Sequence, residues 1–217
     1  MILSIIIGLI VASLLCRRAG ASKQTVIYTA ILTFVMILVV SAMMSFVLSG
    51  SIRKIGFVGA GGALGLILGV VISGFIHNDH VKESIAAWVV TAPLMYGLSK
   101  IACHITGCCN GIPYHGALCV TYEVHDEASY FPVQLLETVV FLLIFAVGLV
   151  LFLKARNISL YNVASIVLVL SCIAKVSIEF LRESHIGKII SGYQVIVISI
   201  TVVFLVVFQI MRRRERI

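Results

Sequence analysis

The chain has 217 residues, of which 61% are apolar and only 12% are charged, with a formal net charge of +7. This composition excludes a soluble globular protein, because too few polar side chains are present to cover the surface of an apolar core. Apolar runs of about 17 to 25 residues, the length that crosses about 30 Å of hydrocarbon as a helix, recur along the chain. We therefore predict an all-α integral membrane protein in which residues 1–217 form one polytopic domain.

Seven spans are predicted in chain order, with one sizeable loop, Ile105–Phe131, between the fourth and the fifth. The first span is short and has no signal-peptide cleavage site, so we interpret it as a retained helix that tilts or thins the membrane. The predicted spans are Ile2–Leu15, Thr25–Leu48, Ile55–Ile76, Ser84–His104, Pro132–Leu153, Ile158–Phe180 and Ile189–Met211.

The distribution of Lys and Arg predicts an N-out/C-in orientation, since short cytoplasmic loops retain basic residues. Ten basic residues then lie inside: Arg17, Arg18, Lys23, Lys82, Lys154, Arg156, Arg212, Arg213, Arg214 and Arg216. The other six lie on the outer side or in outer halves of spans: Arg53, Lys54, Lys100, Lys175, Arg182 and Lys188. This scattered pattern favours attraction to anionic headgroups and argues against a nucleic-acid partner.

Seven glycines lie in the third span, between Gly56 and Gly74. Small residues let helix backbones approach closely in a bilayer, so close packing is one interpretation. The other is that bare backbone lines a pocket for a lipid headgroup. The sequence leaves both open.

Ionisable side chains near the outer ends of spans four, five and six are expected to converge on one polar cavity. Each costs about 2.5 to 3.5 kcal/mol at membrane depth unless it meets a partner or water. These residues are Lys100, His104, Glu137, Lys175, Glu179 and Arg182. The spacing i, i+4, i+7 places the last three on one helix face. The alternative to a functional cavity is a structural ion-pair network that joins the three spans.

Four of the six cysteines form the pattern C-x4-C-C-x9-C: Cys103, Cys108, Cys109 and Cys119. The spacing lacks the C-x2-C pairs of zinc sites, so no metal is predicted. A disulfide within an outward-facing loop is one interpretation. A reactive thiolate is the other, with Cys108 one turn beyond His104 if the helix continues, or Cys103 beside the Lys100 face.

Five motifs in order resemble the prolipoprotein diacylglyceryl transferase family, seven-span bacterial enzymes that move diacylglyceryl from phosphatidylglycerol to a lipobox cysteine. "AGGALG" (Ala60–Gly65) stands at the family's HGGxxG, and "APLMYGLSKIACHITGCCNG" (Ala92–Gly111) is similar to its GRxGNFxNGExxG signature and still closer to a divergent branch with RxGCFxxGCCYG. "FPVQLLE" (Phe131–Glu137) resembles HPxQLYE, "AKVSIEFLRES" (Ala174–Ser184) resembles RFxxEFFRxPD, and "SGYQVIVIS" resembles the following GQxxSL.

The chain departs from the family at four positions. Ala60 replaces a histidine, Lys100 and Lys175 replace arginines, and Cys103 replaces an asparagine. Lys is not equivalent to Arg at a phosphate site, because a fork of donors becomes a point charge. Loss of function would be expected to leave neutral or apolar residues at these positions. The lysines and the thiol found there instead favour a site with altered chemistry.

The resemblance implies a transferase in the bacterial cytoplasmic membrane, with its site facing outward, a phosphatidylglycerol-like donor and a lipoprotein or other peptide acceptor. The predicted catalytic residues are His104, Cys108, Lys100 and Cys103. The predicted substrate-binding residues are Lys175, Arg182, Gln134, Glu137, Glu179, Gln194, Asn110 and Gly111. No cofactor is predicted. Two alternatives stay open: a non-catalytic lipid-binding or assembly protein on the same scaffold, and a thiol-redox or peptide-processing membrane protein.

Overall fold

The computed structural model describes residues 2–51, 56–122, 128–154 and 158–214. Its seven α-helices are α1 (Ile2–Arg18), α2 (Lys23–Ser49), α3 (Gly59–His77), α4 (Val81–Ile105), α5 (Val133–Leu153), α6 (Leu160–Glu179) and α7 (Gly192–Arg214). Helices α2 to α7 are long and apolar enough to cross a membrane. The prediction of an all-helical membrane protein is therefore confirmed in its class, whereas the count of seven spans and the orientation stay predictions.

The loop between α4 and α5 adds a small element that the all-α prediction did not contain. Strand β1 (Val120–Thr121) pairs antiparallel with β2 (Ser129–Tyr130). A short 3-10 helix, Glu183–His185, lies between α6 and α7. Four of the basic residues used to predict the orientation, Arg53, Lys54, Arg156 and Arg216, lie outside the described residues, as does Ile55 at the predicted start of the third span.

Helix α4 lies at the centre of the bundle, where it packs against α1, α3, α5 and α6. Helix α1 meets it through a stripe of small residues at i, i+4 and i+8, Ser4, Gly8 and Ala12, all buried. A Cβ atom on Gly8 would overlap the Met95 side chain of α4. Small residues therefore set the distance between these two helices. Close packing of this kind is expected in lipid, where no hydrophobic effect brings helices together.

Glycines of α3 have two kinds of environment in the structure. Gly61, Gly65 and Gly69 recur at i+4 and face α2, and a Cβ on Gly69 would lie 2.7 Å from the Cα of Thr33. Their absence of a side chain permits the close packing of α2 and α3. Gly59 and Gly62 instead line a cavity.

The two ends of the bundle differ in charge. At one end the Asp79 carboxylate accepts hydrogen bonds from Ser22 N (3.1 Å) and Thr25 Oγ1 (2.8 Å), and thereby joins the α3–α4 connection to the start of α2. The basic residues described at this end are Arg17, Arg18, Lys23, Lys82, Lys154, Arg212, Arg213 and Arg214. The opposite end holds the cavity and the cysteines Cys103, Cys108 and Cys109.

Candidate active site

The end of α4 folds back on itself and brings Cys108 to Cys103. Gly107 has φ +66°, a left-handed conformation that glycine adopts without a steric penalty. Its N–H donates to His104 O (3.3 Å), and Cys108 N–H donates to Cys103 O (3.0 Å). This pair of bonds is a Schellman motif, which ends a helix by satisfying its last carbonyl groups. The helical stripe from His104 to Cys108 was conditional on the helix continuing, and it does not form because α4 ends at Ile105.

Three thiols meet at this turn. The Sγ atoms of Cys103, Cys108 and Cys109 lie within 4.8 Å of one another, and all six cysteines of the chain are free thiols. The disulfide considered for the cluster is therefore not formed in the structure. A hydrogen bond from the Cys103 thiol, aided by the charges of Lys100 and Arg182, lowers the pKa of Cys109 to about 4.

Glu137 is the centre of a buried ion cluster. Its side chain is fully buried, and its carboxylate lies 2.7 Å from Lys175 Nζ, 2.6 Å from Arg182 Nη2 and 3.4 Å from Lys100 Nζ. Glu179 completes the cluster, at 3.1 Å from Lys175 Nζ and 3.5 Å from Arg182 Nε. Three cations against two carboxylates leave a net charge of +1. Five of the six side chains predicted to converge from spans four, five and six therefore meet in one cluster, whereas His104 contacts Tyr122 instead.

Two tyrosines that the sequence reasoning missed complete this cluster. Tyr96 Oη donates to Glu137 Oε1 (2.9 Å), and Lys100 Nζ lies 4.9 Å from the centre of the Tyr96 ring. The ring of Tyr193 lies under Lys175 Nζ, at 4.9 Å. Aromatic faces attract cations, so the two rings help to hold the ammonium groups of Lys100 and Lys175. The signal for Tyr96 was present in the sequence, since it precedes Lys100 by four residues on the same helix face.

A cavity of about 570 Å³ opens beside the thiols and the cations. Lys100, Lys175 and Arg182 line it, together with all three clustered cysteines and both tyrosines. Its walls also include residues from the starts of α1 and α3. A second cavity of about 110 Å³ lies among α3 to α7, with a lining that is mostly apolar and includes Ala60, Tyr96 and Lys175. The larger space can hold a polar group against the cations, whereas the smaller one suits hydrocarbon.

Several predicted site residues hold the walls of the site in place. The buried Gln134 donates from Nε2 to Cys108 O (2.8 Å). Ile112 N donates to Leu181 O (3.0 Å), and Asn110 O accepts from Glu183 N (3.3 Å), so the segment of Asn110 and Gly111 is attached to the one that carries Arg182.

Among the described residues, two other predicted site residues form their hydrogen bonds away from the cations and the clustered thiols. His104 Nδ1 lies 3.0 Å from Tyr122 Oη. Gln194 is buried; its Oε1 accepts from Ser191 N (2.9 Å), and its Nε2 donates to Val176 O (3.0 Å). The reciprocal bond from Gln194 N to Ser191 Oγ (3.2 Å) makes this a capping box at the start of α7.

Fold and site together define a multi-pass membrane protein whose helix bundle holds a cation-lined cavity at one end. The chain belongs to the prolipoprotein diacylglyceryl transferase family, whose sequence profile matches residues 1–211. The resemblance stated from the motifs is thereby confirmed, and with it a family of membrane transferases in lipoprotein biosynthesis. No curated protein matches the chain by sequence.

Proposed function

We propose that the protein transfers a diacylglyceryl group from a phosphatidylglycerol-like phospholipid to the cysteine thiol of a lipoprotein or another acceptor peptide. One observation carries this proposal. Lys100, Lys175 and Arg182 line the cavity of about 570 Å³, whereas Glu137, which holds all three, is fully buried behind them. A positive wall of this kind is suited to a phosphate group that lies at the depth of the lipid headgroups.

The proposed transfer develops negative charge on the departing phosphate, which would lie next to the three cations. The acceptor sulfur forms a bond to the glyceryl carbon that bears the phosphate, and the C–O bond to the phosphate breaks. The departing phosphate ester takes the bonding electrons, and the thiol proton goes to a base. Lys100, Lys175 and Arg182 stabilise the charge that develops on the phosphate, while Glu137 and Glu179 hold the cations against their mutual repulsion.

The thiols are proposed to act on the acceptor side of the same cavity, with His104 as a base on the adjacent last turn of α4. Cys103 and Cys108 line the cavity, where Cys108 is exposed. His104 is oriented by Tyr122 through Nδ1, and its Nε2 is the nitrogen proposed to take the proton of the acceptor or of Cys108. Variants His104→Gln and Cys108→Ala test these roles, and both assignments are wrong if both variants transfer at the normal rate.

The proposed topology has seven spans, with the N-terminus and the site outside. Helix α1 supports the seventh span, because its exposed face is apolar and its opposite face packs on α4. The basic residues listed for the end remote from the cavity support the orientation. A membrane-impermeant thiol reagent should label the exposed Cys119 in intact spheroplasts, and protection of Cys119 until lysis would contradict the orientation.

Transfer is tested with purified protein, phosphatidylglycerol and a cysteine-containing acceptor peptide, with the peptide mass as the readout. The variant Lys100→Met is the sharpest probe, because Glu137 keeps its two shorter ion pairs, to Lys175 and Arg182. We expect a loss of rate of about 10²- to 10³-fold, as for loss of one group that stabilises developing charge. The matched control is Lys188→Met, an exposed cation whose Nζ bonds Ser184 O. Equal rates for the two variants would contradict the proposal.

A second candidate function is lipid binding without transfer. Ala60 favours it, since this position holds a histidine in the family and here contributes only a methyl group to the smaller cavity. Native mass spectrometry of the protein with phosphatidylglycerol, with and without an acceptor peptide, separates the two functions. Retained phospholipid with no turnover would select the second candidate.

A further inference from the structure

We propose that Cys103, Cys108 and Cys109 form a binding site for a thiophilic metal ion, Zn²⁺ in the first instance, with three thiolate ligands and a fourth position open to the cavity. The metal prediction from sequence spacing was negative, because C-x4-C-C lacks the usual pairs. The Schellman turn changes this conclusion, since it folds Cys108 back to Cys103 and brings Cys109 with it.

The geometry of the three sulfurs is close to that of a metal site. At a Zn–S distance of about 2.3 Å with tetrahedral angles, ligand sulfurs lie about 3.8 Å apart. The three Sγ atoms lie within 4.8 Å of one another, so small side-chain rotations suffice. The backbone that carries the thiols is held by the hydrogen bonds to Cys103 O (3.0 Å) and from Gln134 Nε2 (2.8 Å).

The surrounding charges fit a thiolate-rich complex. Thiolates are soft ligands that select Zn²⁺ or Cu⁺ over hard cations. Three thiolates with one divalent ion carry a net charge of −1. Lys100 and Arg182 line the same cavity as the thiols and compensate this charge. The cations that would repel a free metal ion therefore stabilise the complete complex.

The fourth coordination position faces open space. All three cysteines line the cavity of about 570 Å³, and Cys108 and Cys109 are exposed. Zinc sites with three protein ligands keep a position for water or substrate. Under the proposed function, on which this step alone rests, the acceptor thiol takes the position: it displaces the bound water, forms a sulfur–metal bond and gives its proton to the base of that reaction.

Cobalt(II) is the probe for the site, because its thiolate complexes absorb strongly in the near ultraviolet. Protein purified in detergent and freed of metal with a chelator is titrated with Co²⁺ and then with Zn²⁺ in competition. We expect one equivalent to bind. Serine at Cys103, Cys108 or Cys109 should weaken binding by at least about tenfold. The matched controls are Cys119→Ser and Cys172→Ser, which should bind as the unmodified chain does.

Three results would overturn the metal site: no stoichiometric Co²⁺ binding, an equal loss in the control variants, or a disulfide between two of the three cysteines in protein prepared without oxygen. The open position is tested separately, by adding a cysteine-containing peptide to the Co²⁺ complex. A changed absorption spectrum is expected, and an unchanged one overturns the acceptor step. With phosphatidylglycerol also present, a changed spectrum without transfer to the peptide would contradict the proposed function and leave the metal site standing.

Discussion

Replacing Glu137 by Gln should destabilise the protein more than any other isosteric change at the cavity end. The substitution keeps the shape of the side chain but removes a carboxylate that contacts Lys175 at 2.7 Å, Arg182 at 2.6 Å and Lys100 at 3.4 Å. Water cannot compensate the lost carboxylate charge, because the side chain of residue 137 is fully buried. The three cations are then left to repel one another at membrane depth.

The magnitude follows from the contacts that survive. Breaking a buried ion pair by removing one partner costs about 3 to 5 kcal/mol, since the remaining charge is uncompensated. Glu179 keeps Lys175 at 3.1 Å and Arg182 at 3.5 Å, so two of the three cations retain a carboxylate. We therefore expect Glu137→Gln to lower the free energy of unfolding by about 3 to 5 kcal/mol.

The measurement is unfolding in detergent micelles, followed by loss of far-ultraviolet circular dichroism. Glu183→Gln is the matched control: the residue is exposed at the same end of the bundle, and its neutralisation should change stability by no more than about 0.5 kcal/mol. The double variant with Lys175→Gln should lose less than the two single losses added together, because it removes both partners of one pair. Equal midpoints for Glu137→Gln and Glu183→Gln would refute the reasoning.

Three further predictions concern residues outside the ion cluster. Gly69→Val should destabilise by about 1 to 3 kcal/mol, because its side chain overlaps the α2 backbone. Gln194→Ala should cost about 1 to 2 kcal/mol through loss of the cap on α7. Asp79→Asn should remove an acid-dependent part of the stability. Hydrogen bonds led by Ser22 N–H lower the pKa of Asp79, so its contribution is present above the ordinary carboxyl pKa and is lost as the pH falls through the lowered one.

Each of these has its own comparison. Gly192→Ala is the control for Gly69, since nothing lies within 4 Å of an added Cβ there. The exposed Gln209, changed to Ala, is the control for Gln194. Thermal midpoints measured from neutral to acid pH test Asp79: the unsubstituted chain should lose more on acidification than Asp79→Asn, and parallel curves would contradict the assignment.

Much of the architecture could be predicted because, in lipid, each membrane-spanning helix is determined largely by its own sequence. Each helix must satisfy its own backbone, so an apolar run of sufficient length identifies a helix without knowledge of its neighbours. The convergence of Lys175, Glu179 and Arg182 on Glu137 followed for the same reason, since an unpaired charge at that depth has few alternatives. The ends of helices were less accurate: α3 begins at Gly59, whereas the prediction began at Ile55.

The thiol cluster could not be predicted from spacing, because it depends on one backbone conformation. Had α4 continued, Cys108 would lie on the His104 stripe, one turn further on. The left-handed Gly107 ends the helix at Ile105 and turns Cys108 toward Cys103. Glycine after a helix permits such a turn but does not require it, so the sequence alone left both paths open.

A structural ion-pair network and the proposed binding site are compatible with each other in this cluster. Three cations placed together would separate or lose protons without a counter-charge, and Glu137 supplies that charge from the side remote from the cavity. The network therefore fixes Lys100, Lys175 and Arg182 in position, and its net charge of +1 stays directed at the space they line. Under the proposed function, the carboxylate that stabilises the bundle also positions the cations for the phosphate, so loss of Glu137 should affect both stability and transfer.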